Sequence, residues 1–96
     1  MNFRLIALSL AALPVAAYAF DIDVYCKQVG VAAGGSAKLE AACREQERTA
    51  RSNIDHMTVP SSVMEYCRGV GQSAGGSYQF MEKCLQEEVK SGDKLK

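Results

Sequence analysis

The sequence predicts an all-α protein made of two antiparallel helical hairpins, each closed by one disulfide bond. Three observations lead to this prediction: an internal repeat with a period of 41 residues, a glycine pair in the middle of each copy, and cysteines placed symmetrically about each pair. The repeat is clearest where residues 25–43 align with residues 66–84. The chain therefore contains the same cysteine-bearing unit twice.

Each glycine pair predicts the turn of a hairpin. A glycine can end a helix in the left-handed conformation without steric cost, and a serine is a favoured N-cap for the helix that follows. The turn residues are Gly34, Gly35 and Ser36 in the first copy and Gly75, Gly76 and Ser77 in the second. We therefore predict one helix on each side of each turn, and four helices in all.

The positions of the cysteines select a disulfide pairing. In each copy, one cysteine lies eight residues before the first turn glycine and the other lies eight residues after the second. Since both helices rise by about 1.5 Å per residue, equal counts bring the two thiols to the same height in an antiparallel pair. Of the pairings that four cysteines allow, this symmetry selects Cys26 with Cys43 and Cys67 with Cys84.

Residues 1–19 have the pattern of a secretory signal peptide. Arg4 supplies the positive charge, a short apolar segment follows, and residues 17–19 have the small-x-small form of a cleavage site. The apolar segment contains Pro14 and is too short to span a bilayer. We therefore expect export to the periplasm or the exterior, cleavage before Phe20, and a mature chain at 20–96 without a transmembrane segment. An even number of cysteines is typical of such an oxidising compartment.

The net charge of the chain excludes two classes of partner, and its length limits the stability of its core. The formal net charge is zero and becomes −1 when Arg4 leaves with the signal peptide. Because binding to nucleic acid or to an anionic membrane surface relies on clustered Lys and Arg, neither is an expected partner. A mature chain this short forms a marginal core. Each disulfide is expected to add roughly 3 kcal/mol of stability in the chain-entropy model.

The elements are predicted in order as follows. The hairpins cover residues 21–54 and 62–90, with a linker at 55–61 and a polar tail at 91–96. Asp21 is the expected N-cap of the first helix, and Ser62 with Glu65 forms a capping box for the third. Pro60 separates the two hairpins. Ser91 and Gly92 are expected to end the fourth helix.

The second helix carries an apolar stripe and a charged face. The predicted inner stripe is Leu39, Cys43, Gln46, Ala50 and Ile54, and the charged residues are Lys38, Glu40, Arg44, Glu45, Glu47, Arg48 and Arg51. Both signs are interleaved, which favours a solvated face with ion pairs between Glu40 and Arg44 and between Glu47 and Arg51. Glu47 and its repeat equivalent Glu88 lie level with the start of the facing helix, where a carboxylate stabilises the helix dipole.

A single hairpin is too short to be stable alone, so the two hairpins are expected to pack on each other. The candidate contacts are Tyr25, Leu39, Ile54, Tyr66, Phe80, Met81 and Leu85. Within this set we expect Phe80 to be a core residue. Tyr78 follows the second turn where the first copy has Ala37, and we predict that it is exposed and is a possible contact for a partner.

The sequence does not indicate catalysis, a metal site or a cofactor. Zinc ligands are usually closely spaced pairs, whereas the cysteines of each copy stand 17 apart and His56 is isolated. Copper binding by Met57, Met64 and Met81 is less favoured than an ordinary core role. A bridged cysteine is not a nucleophile. The Gly-Gly-Ser turns offer N–H groups for an anion, but such turns are common.

The pattern Tyr-Cys-x2-Val-Gly-x2-Ala-Gly-Gly-Ser-x6-Cys, present at residues 25–43 and 66–84, resembles that of small exported bacterial proteins of uncharacterised function. The general plan is also similar to mitochondrial coiled-coil-helix-coiled-coil-helix proteins. Those proteins have two bridges per hairpin from twin Cys-x9-Cys motifs, whereas each hairpin here has one Cys-x16-Cys pair. Neither resemblance implies an activity.

The expected function is therefore that of a non-enzymatic interaction module in the cell envelope, with a protein or an envelope component as its partner. The alternative is a small regulator or inhibitor of an envelope or extracellular enzyme, since such inhibitors also use compact disulfide scaffolds. The oligomeric state is left open.

Overall fold

The computed structural model describes the backbone of residues 19–95 and the side chains of residues 19–92. The described residues form four helices: α1 (Ile22–Ala32), α2 (Ala37–Asp55), α3 (Ser61–Ser73) and α4 (Tyr78–Leu95). There is no strand in this part of the chain, so the all-α prediction is confirmed. The predicted signal peptide, except for Ala19, lies outside the described residues. No helix among residues 19–95 combines the length and apolar character needed to cross a membrane.

The first hairpin begins and turns at the predicted residues. The Asp21 carboxylate accepts a hydrogen bond from the Val24 N–H at 3.0 Å and caps α1. Gly34 and Gly35 have φ values of 85° and 84°, which a residue with a Cβ rarely adopts. The Ser36 hydroxyl then accepts from the Leu39 N–H at 3.1 Å and caps α2. Local hydrogen bonding therefore sets both helix starts and the turn between them.

Both predicted disulfides are present. The Cα atoms of Cys26 and Cys43 are 5.5 Å apart, and those of Cys67 and Cys84 are 5.4 Å apart. Cys26 and Cys67 are fully buried between their helices. The bridges therefore fix the register of α1 on α2 and of α3 on α4.

The start of α3 differs from the prediction. Pro60 is the N-cap, with φ −58° and ψ 146°, and it provides no side-chain hydrogen bond. Its carbonyl accepts from the N–H groups of Val63 and Met64, so the helix begins at Ser61 and Ser62 is already inside it. The predicted capping box is therefore wrong, and Glu65 instead forms an ion pair with Arg68. Because α2 also continues through Asp55, the linker is residues 56–60.

The end of α4 also differs from the prediction. The helix runs through Ser91 and Gly92 to Leu95, where the sequence indicated a stop followed by a polar tail. A glycine inside a helix costs only about 1 kcal/mol relative to alanine, and Gly92 does not take a positive φ. The expectation of a helix end at this glycine was therefore wrong.

The hairpins pack on each other, as predicted, and the helices that meet are α2 and α4, in a contact that we call the joint. It is formed by Glu47, Ala50 and Ile54 of α2 with Ser77, Tyr78, Met81 and Leu85 at and after the start of α4. Leu85 is fully buried, and Phe20 and Met64 pack against the same cluster. Next to it, the Asn53 amide donates to the Glu82 carboxylate at 2.8 Å. The core of the protein therefore lies where the open end of the first hairpin meets the turn end of the second.

Candidate functional site

The joint is built around a buried carboxylate. Glu47 is 0 % exposed, and its oxygens accept four hydrogen bonds. The Ser77 hydroxyl donates at 2.7 Å and the Tyr78 N–H at 2.6 Å, while Gln79 donates from its backbone at 3.3 Å and from its side chain at 3.0 Å. The carboxylate therefore caps the N-terminus of α4, where the helix dipole also favours negative charge.

This position for Glu47 corrects three predictions. It lies at a helix N-terminus as expected, but the helix is α4 and not α1, whose first turn Asp21 already caps. It is buried on the inner stripe of α2, whereas Gln46, predicted for that stripe, is exposed. Its predicted ion pair with Arg51 does not form, because its oxygens are directed at Ser77, Tyr78 and Gln79. Spacing offered a signal: Cys43, Glu47, Ala50 and Ile54 recur at helical intervals on one face.

Glu88, the repeat equivalent of Glu47, has a different environment. It is exposed and lines a cavity of about 340 Å³ at the open end of the second hairpin. The lining residues are Thr58, Val59, Pro60, Val63, Glu88, Val89 and Gly92. The predicted equivalence of the two glutamates therefore holds for their position in the repeat but not for their surroundings.

Tyr78 belongs to the joint and not to an exposed contact surface. Its side chain is 8 % exposed, and its hydroxyl accepts a hydrogen bond from the Phe20 N–H at 3.0 Å. The rings of Tyr78 and Phe20 are 4.9 Å apart, and the Arg51 guanidinium lies 5.9 Å from the Tyr78 ring centre. The prediction that Tyr78 is exposed was wrong, because α2 covers the side of α4 on which Tyr78 lies.

Phe80 differs from its prediction in the opposite direction to Tyr78. It was predicted to be a core residue, but it is 50 % exposed, and two further predicted contacts, Leu39 and Tyr66, are 50 % and 62 % exposed. Met81 and Leu85 are buried as predicted. The apolar side of α4 is wider than the area that contacts α2, and Phe80 lies outside that area.

Apolar side chains, two exposed aromatic residues and one partly buried valine, form a second feature on the side of the second hairpin away from the joint. At about 100° per residue, Tyr66 and Val70 fall on one side of Cys67, and Met64 and Gly71 fall on the other. Counted from the Cys84 bridge in the antiparallel helix, Phe80 falls on the side of Val70, and Met81 falls on the side of the joint. We call Tyr66, Val70 and Phe80 the outer face.

The Gly-Gly-Ser turns use most of their N–H groups internally. The N–H groups of Gly35 and Ser36 both bond to the carbonyl of Gly30, and those of Gly76 and Ser77 bond to Gly71 in the same way. At the second turn the next N–H groups along the chain bind the Glu47 carboxylate. The anion at that helix start is therefore a side chain of the protein itself.

The remaining titratable and sulfur groups have structural surroundings. All four cysteines are in disulfides, and a ring nitrogen of the exposed His56 lies 2.7 Å from the Ser52 carbonyl oxygen. Among the described residues, no group of three or more His, Cys, Asp or Glu side chains is placed to hold a metal ion. Met57 and Met64 pack beside the core, and Met81 is part of it.

The predicted ion pair between Glu40 and Arg44 is confirmed, with N and O atoms 2.8 Å apart. The hydrogen bond from Arg44 lowers the pKa of Glu40 below its usual value, and the nearby charge of Lys27 acts in the same direction. Both side chains are partly buried, and the pair lies on the first hairpin, away from the joint.

The fold and the joint together define a class: a tandem of two disulfide-closed helical hairpins locked by a buried glutamate. No protein-family model, no curated protein and no solved structure matches the chain.

Proposed function

We propose that the protein is exported and acts as a non-enzymatic interaction module in the cell envelope, with the outer face as its contact surface for a protein partner. The observation that carries this proposal is the exposure of two aromatic side chains, Tyr66 at 62 % and Phe80 at 50 %, on one side of a rigid hairpin. Large aromatic residues dominate the binding energy of protein interfaces. The molecule's own core does not use these two rings.

The placement of the outer face supports a role in binding. The disulfide between Cys67 and Cys84 lies beneath it and holds α3 and α4 in a fixed register. A preorganised surface loses little conformational entropy when it binds. Lys83 and Glu87 are exposed and fall on the same side of α4 as Phe80, so they give the apolar centre a polar rim of both signs.

The chemistry of the other candidate groups supports a non-enzymatic role. The bridged cysteines offer no thiolate. Glu47 is buried with its oxygens already accepting four hydrogen bonds, so it is not placed to take a proton from a substrate. Binding is therefore the function that the exposed residues favour.

Capture of partners from an envelope extract tests the proposal. We expect the oxidised protein to retain a partner that the Phe80→Ser variant loses. Leu39→Ser is the matched control, because Leu39 is the repeat equivalent of Phe80 and is equally exposed at 50 %. Loss of the partner in both variants, or in neither, would contradict a role for the outer face.

The same capture separates the two classes of function. An enzyme recovered in a single stoichiometric complex, and slowed by the free protein, would indicate the inhibitor class. A structural or transport component of the envelope would indicate the interaction module. Thermal melts should show that both serine variants are still folded at the temperature of the capture, so that any loss of binding is not a loss of folding.

Export is tested separately. We expect mass analysis of the exported fraction to find a mature chain that begins at Phe20. A protein that retains Met1, or that carries free thiols, would contradict the proposed location. Both disulfides are consistent with an oxidising environment.

A further inference from the structure

The joint is directional, since it uses different ends of the two hairpins. The first hairpin contributes its open end, where Glu47 and Ile54 lie. The second hairpin contributes its turn end, where Ser77 and Tyr78 start α4. Because the hairpins are copies of one unit, each of them has both ends. One open end and one turn end therefore remain unused after the joint has formed.

The unused open end belongs to the second hairpin. Glu88 stands there at the position of Glu47, and Val63 stands at the position of Ile22. The cavity of about 340 Å³ at this end is lined by Val59, Val63 and the half-exposed Val89 as well as by Glu88. It therefore combines apolar walls with one carboxylate, as does the end that receives α4 in the joint.

The unused turn end belongs to the first hairpin. Ser36 stands at the position of Ser77, and it already caps α2 as its equivalent caps α4. Lys38 stands at the position of Gln79, whose side chain donates a hydrogen bond to Glu47. Ala37 and Lys38 are both exposed. Lys38 can form an ion pair with a carboxylate, whereas the equivalent residue in the joint, Gln79, donates a hydrogen bond from its amide.

We propose that a second copy of this chain inserts its first turn, at Ser36–Lys38, into the open end that contains Glu88. The contact repeats the geometry of the joint between molecules, with Lys38 of one copy paired to Glu88 of the other. It does not use the outer face. Ala37 is smaller than Tyr78 and fills less of the cavity, so this contact is weaker than the joint. It is also head to tail, which gives chains or rings of molecules and not closed twofold dimers.

Charge reversal tests the pairing on the oxidised mature protein. In sedimentation velocity over a range of concentrations, we expect the parent to associate and to dissociate as salt is added. Lys38→Glu and Glu88→Lys should each weaken association by about tenfold or more, and the double variant should restore it. Glu45→Lys is the matched control, because it makes the same charge change at an exposed glutamate that belongs neither to the turn at Ser36–Lys38 nor to the cavity.

Three results would overturn the proposal. A protein that is monomeric at every concentration overturns the proposal, as does association that neither single reversal weakens. A double variant no better than the singles also overturns it, since the two charges then do not meet. Lys38 and Glu88 are exposed, so melting temperatures of all variants should equal that of the parent.

Discussion

Replacement of Glu47 by glutamine is the sharpest test of the joint. Glutamine has the same length but offers one oxygen and one amino group in place of two acceptors. In the structure, one oxygen of Glu47 accepts from the Tyr78 N–H at 2.6 Å. The other oxygen accepts from the Ser77 hydroxyl and from both nitrogens of Gln79. Whichever way the amide turns, its amino group faces at least one buried donor.

The cost follows from these contacts. A hydrogen bond to a charged group contributes about 1.5–3 kcal/mol, and a buried donor without an acceptor costs about 1–3 kcal/mol. Glu47→Gln loses one such hydrogen bond and leaves one buried donor without an acceptor. Together these two effects should lower the free energy of unfolding by about 3–5 kcal/mol. In a domain of this size, 3 kcal/mol corresponds to a fall in melting temperature of roughly 12 °C or more.

The repeat supplies the control. Glu88→Gln makes the same chemical change at the equivalent position, and because Glu88 is exposed the expected cost is below about 0.5 kcal/mol. Urea unfolding of both variants with the disulfides intact, followed by circular dichroism, measures the difference. If the two variants lose the same stability, the assignment of Glu47 as the lock of the joint is refuted.

Three further predictions concern α4, the glycines of α3 and the Glu40 ion pair. Tyr78→Ala should cost about 3 kcal/mol or more as a core truncation, whereas the half-exposed Phe80→Ala should cost less than about 1.5 kcal/mol; equal shifts in thermal melts would contradict the assigned face of α4. Gly71→Ala should destabilise, because its Cβ would lie 2.7 Å from the Ser77 carbonyl oxygen. The control Gly69→Ala, with nothing within 4 Å, should stabilise by up to about 1 kcal/mol; if Gly71→Ala also stabilises, the close approach of α3 and α4 is wrong. Since the pKa of Glu40 is lowered in the folded state, its contribution should be present above its usual value of 4.5 and be lost as the pH falls through the lowered pKa. Glu40→Gln should therefore reduce the acid sensitivity of unfolding, and an unchanged pH profile would count against the ion pair.

The elements and the disulfides were predictable because each depends on contacts that are local in sequence. Gly34, Gly35 and Ser36 set a turn, and equal counts from that turn bring Cys26 opposite Cys43. Helix ends were harder to predict at glycine and proline, because either residue can lie inside a helix or at its end. Pro60 capped a helix that it was expected only to precede.

The joint was predictable only in part. Ile54, Met81 and Leu85 were expected there and are buried, but both sides of the second hairpin carry apolar residues. Tyr66 and Phe80 on one side are as suitable for burial as Met64 and Met81 on the other. Sequence alone therefore does not decide which side meets the first hairpin. A hint for the second hairpin was the break in the repeat at Ala37 and Tyr78, since a residue that differs between copies is free to make a contact that only one copy needs.

The connectivity of the disulfides has a consequence for the order of assembly. Each bridge joins cysteines that are consecutive in the chain and 17 residues apart. If the chain enters an oxidising compartment N-terminus first, Cys26 meets Cys43 while Cys67 is still 24 residues behind. Oxidation in the order of emergence then gives the native bridges directly. Such a chain needs no disulfide reshuffling, a step that takes from seconds to hours.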